Sequence, residues 1–191
     1  MTASPHAMNL RSGTKMGQAN MVDTMIKDGL TDAMNNIHMG ETAENLAKQY
    51  EISREEQDLF ALKSQTLAAA AQKAGFFDEE IVSVSVPGRK GPTVVSKDEY
   101  LKPDTTLEGL SKLRPCFIKE NGTVTAGNAS GINDSAAAVL LVSSNEVAKR
   151  NLKPLAKIVA FSQVGCEPKI MGAGNFDIFR LFIHTNNDNF N

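Results

Sequence analysis

The residues best suited to chemistry fall in one run, Asn121-Gly-Thr-Val-Thr-Ala-Gly-Asn-Ala-Ser-Gly-Ile-Asn-Asp134, which flows into Ala136-Ala-Ala-Val-Leu-Leu-Val142. Asn121-Gly122 signals a turn. Gly127 and Gly131 carry no Cβ and let the backbone approach a neighbour closely. Asn128 and Ser130 lie between them and offer polar side chains that can orient a ligand. The apolar run that follows predicts a strand buried on both faces, as in the middle of a helix-covered sheet. α/β proteins place ligands at a polar, glycine-flanked loop beside such a strand. As residues alone, a connection with two glycines and a serine is more often a plain turn. Cys116 and Cys166 lie far apart and form no CxxC pair, so no metal site or disulfide framework can be read from them. Both are expected to be buried structural thiols, the common fate of free cysteine. His38, taken by itself, reads as a turn histidine.

The elements that must position these residues come in order. Thr2 to Met25 has little periodicity and reads as an exposed arm, with Met16, Met21 and Met25 as adaptable contact residues. Asp28 to Gly40 is turn-rich, and a helix is predicted from near Thr42, with Ala43, Leu46, Ala47 and Tyr50 on one face. Ser53-Arg-Glu-Glu56 is a capping-box pattern opening a second helix, and Gly75 is a suitable C′ residue to end it. Val82, Val84 and Val86 alternate with polar residues as a half-buried strand does. Pro87 to Gly91 is a turn, and Thr93 to Val95 returns as the second strand of a hairpin. Leu107, Leu110 and Leu113 predict a short helix closed by Pro115. After the strand at Ala136 to Val142, Ser144 can cap a helix through Arg150, with Asn151 and Pro154 as stops. Leu155 to Phe161 is predicted as a further strand.

With 191 residues, 41% hydrophobic and 22% charged, the composition is that of an ordinary globular protein of one large or two small domains. The net charge of -2 supplies neither a field for nucleic acid nor a polybasic membrane anchor. No apolar run approaches the length of a membrane span. An α/β nucleotide-binding module is a weaker reading, because no phosphate-cradling glycine pattern sits between a strand and a helix.

Several strings together are specific. "GTVTAGNASGINDSAAAVLL", "MIKDGLTDAMNNIHMGETAENLAKQYEISREEQDLFALKSQ", "VPGRKG", "LSKLRPCF" and "IVAFSQVGCEPKIMGAG" fall in the order and spacing found in thiolases of the biosynthetic, acetyl-CoA acetyltransferase type. The chain resembles that family from about Ser4 to Gly174. The resemblance implies an incomplete thiolase-like α/β fold: an α+β loop domain with two helices and a hairpin, then isolated core strands and a helix. It implies a loop-domain-like region with its amino-terminal arm over 1–132. A partial core follows over 133–174, at the junction of the family's two halves, and a divergent tail over 175–191. A complete family member is about twice this length, so the chain resembles an internal piece. The asparagine- and phenylalanine-rich tail departs from the family pattern, as a different transcript end would. An address label is expected on the missing end, which leaves cytoplasm and mitochondrion both open.

Thiolases join two acetyl-CoA molecules into acetoacetyl-CoA and CoA, or run the reverse, through an acyl-cysteine intermediate. The resemblance places the nucleophilic cysteine upstream of this chain. It places the Asn-Glu-Ala-Phe segment, the Gly-His-Pro histidine and the second cysteine beyond the point where the tail diverges. No catalytic residue is therefore expected here. What the resemblance leaves is the wall facing coenzyme A, the thioester being substrate with no cofactor besides. His38 and Met39 match the mouth of the pocket. Met39 and Met171 would narrow it to short acyl chains. Leu30, Phe117, Ala126 and Ala129 match the pantetheine tunnel, and Ser130 matches a serine that bonds a pantetheine amide. Ile132 stands where leucine is usual. Lys102 stands where an arginine meets the nucleotide, giving charge without the planar fork. Gly109 replaces a serine near the adenine, and Ser135 replaces a glycine at the start of the core strand. Partners implied are acetyl-CoA or CoA and further subunits in a dimer or tetramer, with the amino-terminal arm reaching across, and neither nucleic acid nor membrane. One hydrogen bond of about 1 kcal/mol and one exposed charge fall short of the cost of association. The chain alone is thus expected to show no measurable CoA affinity and no acyl transfer. The competing reading is a non-catalytic isoform that docks on full-length subunits.

Overall fold

A computed structural model describes residues 1–11 and 13–176. The sequence reading of 177–191 lies outside the described residues. The chain divides into two compact units, Met1–Leu46 with the chain from Gly131 onward, and Ala47–Ser130.

In the first unit the arm is fastened by a short antiparallel pair, β1 (His6–Ala7) on β2 (Val22–Asp23). Met16 and Met21 are exposed, as an arm requires. One π-helical turn, Met25–Gly29, leads into a tight hairpin of β3 (Thr31–Asp32) and β4 (Ile37–His38). Asp32 shapes its loop. Its Oδ1 accepts the Met34 N–H at 2.9 Å, and its Oδ2 accepts the Asn35 Nδ2–H at 2.5 Å and the Asn35 N–H at 3.2 Å. Asn36 then takes a φ of 54°, which asparagine tolerates better than most residues. The Asn35 amide, the Met34 N–H and the Asn35 N–H hold the Asp32 carboxyl below its ordinary pKa, against a smaller opposing push from burial.

Helix α1 (Met39–Gln49) starts earlier than the position near Thr42 that periodicity suggested. Thr42 lies within its first turn and donates its hydroxyl back to the Met39 carbonyl at 2.6 Å. Ala47 is buried and Tyr50 is exposed, so the predicted apolar face holds at its centre and not at its end.

In the second unit α2 (Arg54–Lys73) has both halves of the predicted capping box. Ser53 Oγ accepts the Glu56 N–H at 3.1 Å, and Glu56 Oε2 accepts the Ser53 N–H at 2.8 Å. The helix closes in a Schellman motif: the Phe76 N–H reaches the Ala71 carbonyl and the Gly75 N–H the Gln72 carbonyl, with Gly75 at φ +76°. Ser53→Ala is expected to cost about 1 kcal/mol in urea unfolding. The Ser53 N–H, and after it the Ser53 hydroxyl, lower the Glu56 pKa from 4.5. A depressed carboxylate stabilises above its unfolded pKa and loses that contribution as pH falls through the folded value. The difference between wild type and Ser53→Ala is therefore expected to shrink below pH 4.5.

The hairpin forms as expected, β5 (Val84–Val86) antiparallel to β6 (Thr93–Val95), with Ser85 opposite Val94. It is not half-buried, however, since Val84, Val86, Val94 and Val95 are all exposed. Helix α3 (Leu107–Ser111) is capped by Thr106 and stops before Leu113, ahead of the expected closure at Pro115. Helix α4 (Ser144–Lys149), in the first unit, is capped by Ser143, one residue before the serine the pattern indicated.

The two predicted core strands are corrected. Residues 136–142 and 155–161 form no ladder, and Leu140 (87%) and Ile158 (72%) are largely exposed. A strand exists only through the hydrogen bonds of a neighbour, and among the described residues each sheet has only two strands, all from other segments. Among the described residues, buried side chains are few and mixed: apolar Ala47, Leu110 and Val124, and polar Asp32, Thr42, Glu44, Asp58 and Thr125. Hydrogen bonds rather than a large apolar core therefore fix the loops.

Candidate functional site

The first unit brings three of the predicted residues together through the β3–β4 hairpin. Register sets His38 opposite Thr31, and the Met39 N–H donates to the Leu30 carbonyl at 2.8 Å. All three side chains are half-buried. His38 Nδ1 accepts the Gly40 N–H at 3.0 Å, so the neutral ring carries its proton on Nε2. Met171 is exposed on a 3₁₀ turn, Pro168–Ala173, that is anchored to α1. Asn45 Nδ2 donates to the Lys169 carbonyl at 3.0 Å, and a Cβ on Gly172 would stand 2.7 Å from Leu46 Cδ1. Ile132 is exposed.

In the second unit, Ala126, Ala129 and Ser130 are exposed on one loop whose neighbours Val124 and Thr125 are buried. Phe117 is half-buried. Lys102 is exposed, its N–H donating to Gln65 Oε1 on α2 at 3.0 Å and its carbonyl accepting the Thr105 hydroxyl at 2.7 Å. A groove of about 540 Å³ beside Ala69, Lys73, Ser96, Lys97 and Pro103 contains none of the predicted residues.

Asn128, which the sequence suggested could orient a ligand, instead faces inward. Its Oδ1 accepts the Thr125 N–H at 2.8 Å, and its Nδ2 donates to Asp58 Oδ1 and to the Thr123 carbonyl, both at 3.0 Å. Asp58 is 2% exposed, and its Oδ2 takes the Arg54 Nε–H at 2.7 Å. Arg54 Nη2 donates onward to the Leu110 carbonyl within α3 at 2.7 Å and to the Leu113 carbonyl just beyond it at 3.1 Å. Sequence reasoning missed Arg54 and Asp58. Their i, i+4 spacing on a helix was the available signal. Gly127 serves internal packing, since a Cβ there would come within 2.5 Å of both Leu110 Cδ2 and Leu113 Cδ1. Cys116 is exposed rather than buried, because it follows Pro115 on the outside of a loop whose backbone bridges to Thr125. Cys166 is half-buried, with its Sγ 3.7 Å from the Met171 carbonyl.

Comparison with known proteins adds to this geometry. A family model described as the thiolase N-terminal domain matches residues 1–145. The acetyl-CoA acetyltransferase of Shinella zoogloeoides is 56% identical over 174 residues, which are 91% of this chain and 44% of that enzyme. The cytosolic acetyl-CoA acetyltransferase of Rattus norvegicus is 53% identical over 175 residues, with the same shares. Among solved structures, the Bacillus anthracis acetyl-CoA acetyltransferase superposes with a TM-score of 0.84 at 46% identity, covering 94% of this chain and 45% of that one. Human mitochondrial 3-ketoacyl-CoA thiolase in complex with CoA gives a TM-score of 0.79 at 46% identity, covering 90% and 42%. The chain spans less than half the length of the curated relatives it matches.

Proposed function

Since this chain belongs to the thiolase family, whose N-terminal domain model spans residues 1–145, we propose that it is the coenzyme A-facing segment of an acetyl-CoA C-acetyltransferase. That enzyme converts two acetyl-CoA into acetoacetyl-CoA and CoA through an acyl-cysteine. The observation that carries the reading is the 56% identity to the Shinella zoogloeoides enzyme across 91% of this chain. The division proposed is a loop-domain-like region over 1–132, a partial core over 133–174 and a divergent tail. In the first unit Leu30, His38, Met39, Ile132 and Met171 are proposed as thioester-facing residues, and in the second unit, taken by itself, Lys102, Phe117, Ala126, Ala129 and Ser130 are. Their exposure or partial exposure supports that role. The reactive cysteines and histidine are proposed to lie outside this sequence, so the isolated chain transfers no acyl group. The whole enzyme is proposed to work as a homo-oligomer.

The test uses a chimera in which the matched 174 residues of this chain replace their counterpart in the Shinella zoogloeoides enzyme. The chimera is expected to cleave acetoacetyl-CoA with CoA, while the isolated chain does not. Within it, Ser130→Ala is expected to raise KM for CoA about fivefold, the worth of one hydrogen bond of ~1 kcal/mol. A folded but inactive chimera, or cysteine-dependent cleavage by the isolated chain, would sink the reading.

A second reading, a non-catalytic isoform that docks on full-length subunits, is favoured by one observation: the apolar side chains of 136–142 and 155–161 are exposed. Co-purification of this chain with a full-length thiolase would support it.

A further inference from the structure

The loop that carries Ala126, Ala129 and Ser130 is shaped from beneath, by side chains outside the predicted site. Asn128 uses one acceptor and two donor bonds, and only one orientation of its amide fits them. Turned over, its NH₂ would face the Thr125 N–H, and its oxygen would face the Asp58 carboxylate and the Thr123 carbonyl. Asp58 in turn is fixed by Arg54, and Arg54 by the Leu110 carbonyl of α3 and the Leu113 carbonyl just beyond it. Thr125, 0% exposed, is the hub: its carbonyl accepts the Ala129 and Asn128 N–H groups, and its hydroxyl accepts the Gly127 N–H. One continuous series of bonds thus runs from α3 through α2 into the loop, turning Thr125 inward and leaving Ala126, Ala129 and Ser130 outward.

We propose that Arg54, Asp58 and Asn128 are positioning residues that hold this loop in the conformation in which Ala126, Ala129 and Ser130 meet a coenzyme A thioester; the identity of the ligand rests on the function proposed above. A preorganised loop matters because a displacement of about 1 Å at a binding element can cost ~100-fold in rate. Buried polar networks of this kind are effective only when every member is satisfied.

The experiment is amide hydrogen exchange on the full chain, read at Thr125, Gly127 and Ala129. Asn128→Asp keeps the side-chain volume but sets a second carboxylate against Asp58, and exchange at these amides is expected to rise about tenfold or more. Combining Asp58→Asn with Asn128→Asp reverses the polarity. The amide at 58 then donates to the carboxylate at 128, which still accepts the Thr125 N–H, and Arg54 keeps an oxygen to bond. Exchange is expected to return part of the way to wild type, since the carboxylate at 128 has no donor left for the Thr123 carbonyl. Unchanged exchange in Asn128→Asp, or an equal loss in both variants, would overturn the proposal, because packing alone gives no rescue. In the chimera, Asn128→Asp is expected to raise KM for CoA more than it lowers kcat, and the double variant to bring KM part of the way back. An inactive unsubstituted chimera sinks the coenzyme A reading and leaves exchange to decide the network. An active chimera whose KM ignores Asn128→Asp sinks the positioning role.

Discussion

Arg54→Met is expected to lower the unfolding free energy by about 3–5 kcal/mol, the range for stripping a buried charge of its partner. The substitution leaves the Asp58 carboxylate, 2% exposed, with the Asn128 amide as its remaining partner among the hydrogen bonds described above. It also removes the guanidinium bonds to the Leu110 and Leu113 carbonyls, of which the first still accepts the Leu113 N–H. Asp58→Leu alone is expected to be milder, because the Arg54 guanidinium is less buried and keeps those two carbonyls. The double variant Arg54→Met/Asp58→Leu is expected to regain part of the loss, since no uncompensated charge remains. Urea unfolding of the four proteins closes the cycle. A loss below about 1 kcal/mol for Arg54→Met, the scale of an exposed ion pair, would show that the network does not hold the loop.

Gly122→Ala is the second large effect, expected at about 3 kcal/mol, the upper part of the usual range for overpacking. An ideal Cβ at Gly122 would sit 2.1 Å from the Ile118 carbonyl oxygen and 2.8 Å from Pro115 Cβ. Its nearest neighbour is backbone, which cannot swing aside as a side chain can. The bridge that joins Cys116 N–H to the Val124 carbonyl at 2.9 Å closes this same loop, so relief would have to break it. Gly127→Ala is the internal comparison. Its near contacts are the Leu110 and Leu113 methyls, which can change rotamer, and its cost is expected nearer 1 kcal/mol. Thermal unfolding of the two variants orders them. Equal losses, or a larger one at Gly127, would mean that the loop does not pack as described.

Much of the local structure was legible in the sequence. The Ser53–Glu56 capping box, the Gly75 stop and the hairpin around Pro87–Gly91 were all readable, and each formed. These features are settled by bonds between residues only a few positions apart, so their spacing contains the physics. The family was legible for a different reason: long strings, rather than any single loop, carried it.

Where a feature depended on a distant neighbour, the sequence alone could not decide it. The apolar runs 136–142 and 155–161 have the composition of strands, yet a ladder requires a second chain segment alongside, and the fold supplies none among the described residues. Cys116 looked like a thiol destined for burial and lies exposed, because burial depends on what packs above a residue and not on its own preference. Asn128 shows the division most clearly. Its sequence neighbours indicate a polar loop residue open to a ligand. Only tertiary structure brings Asp58, seventy positions away, within 3.0 Å of its amide and turns it into the support of that loop.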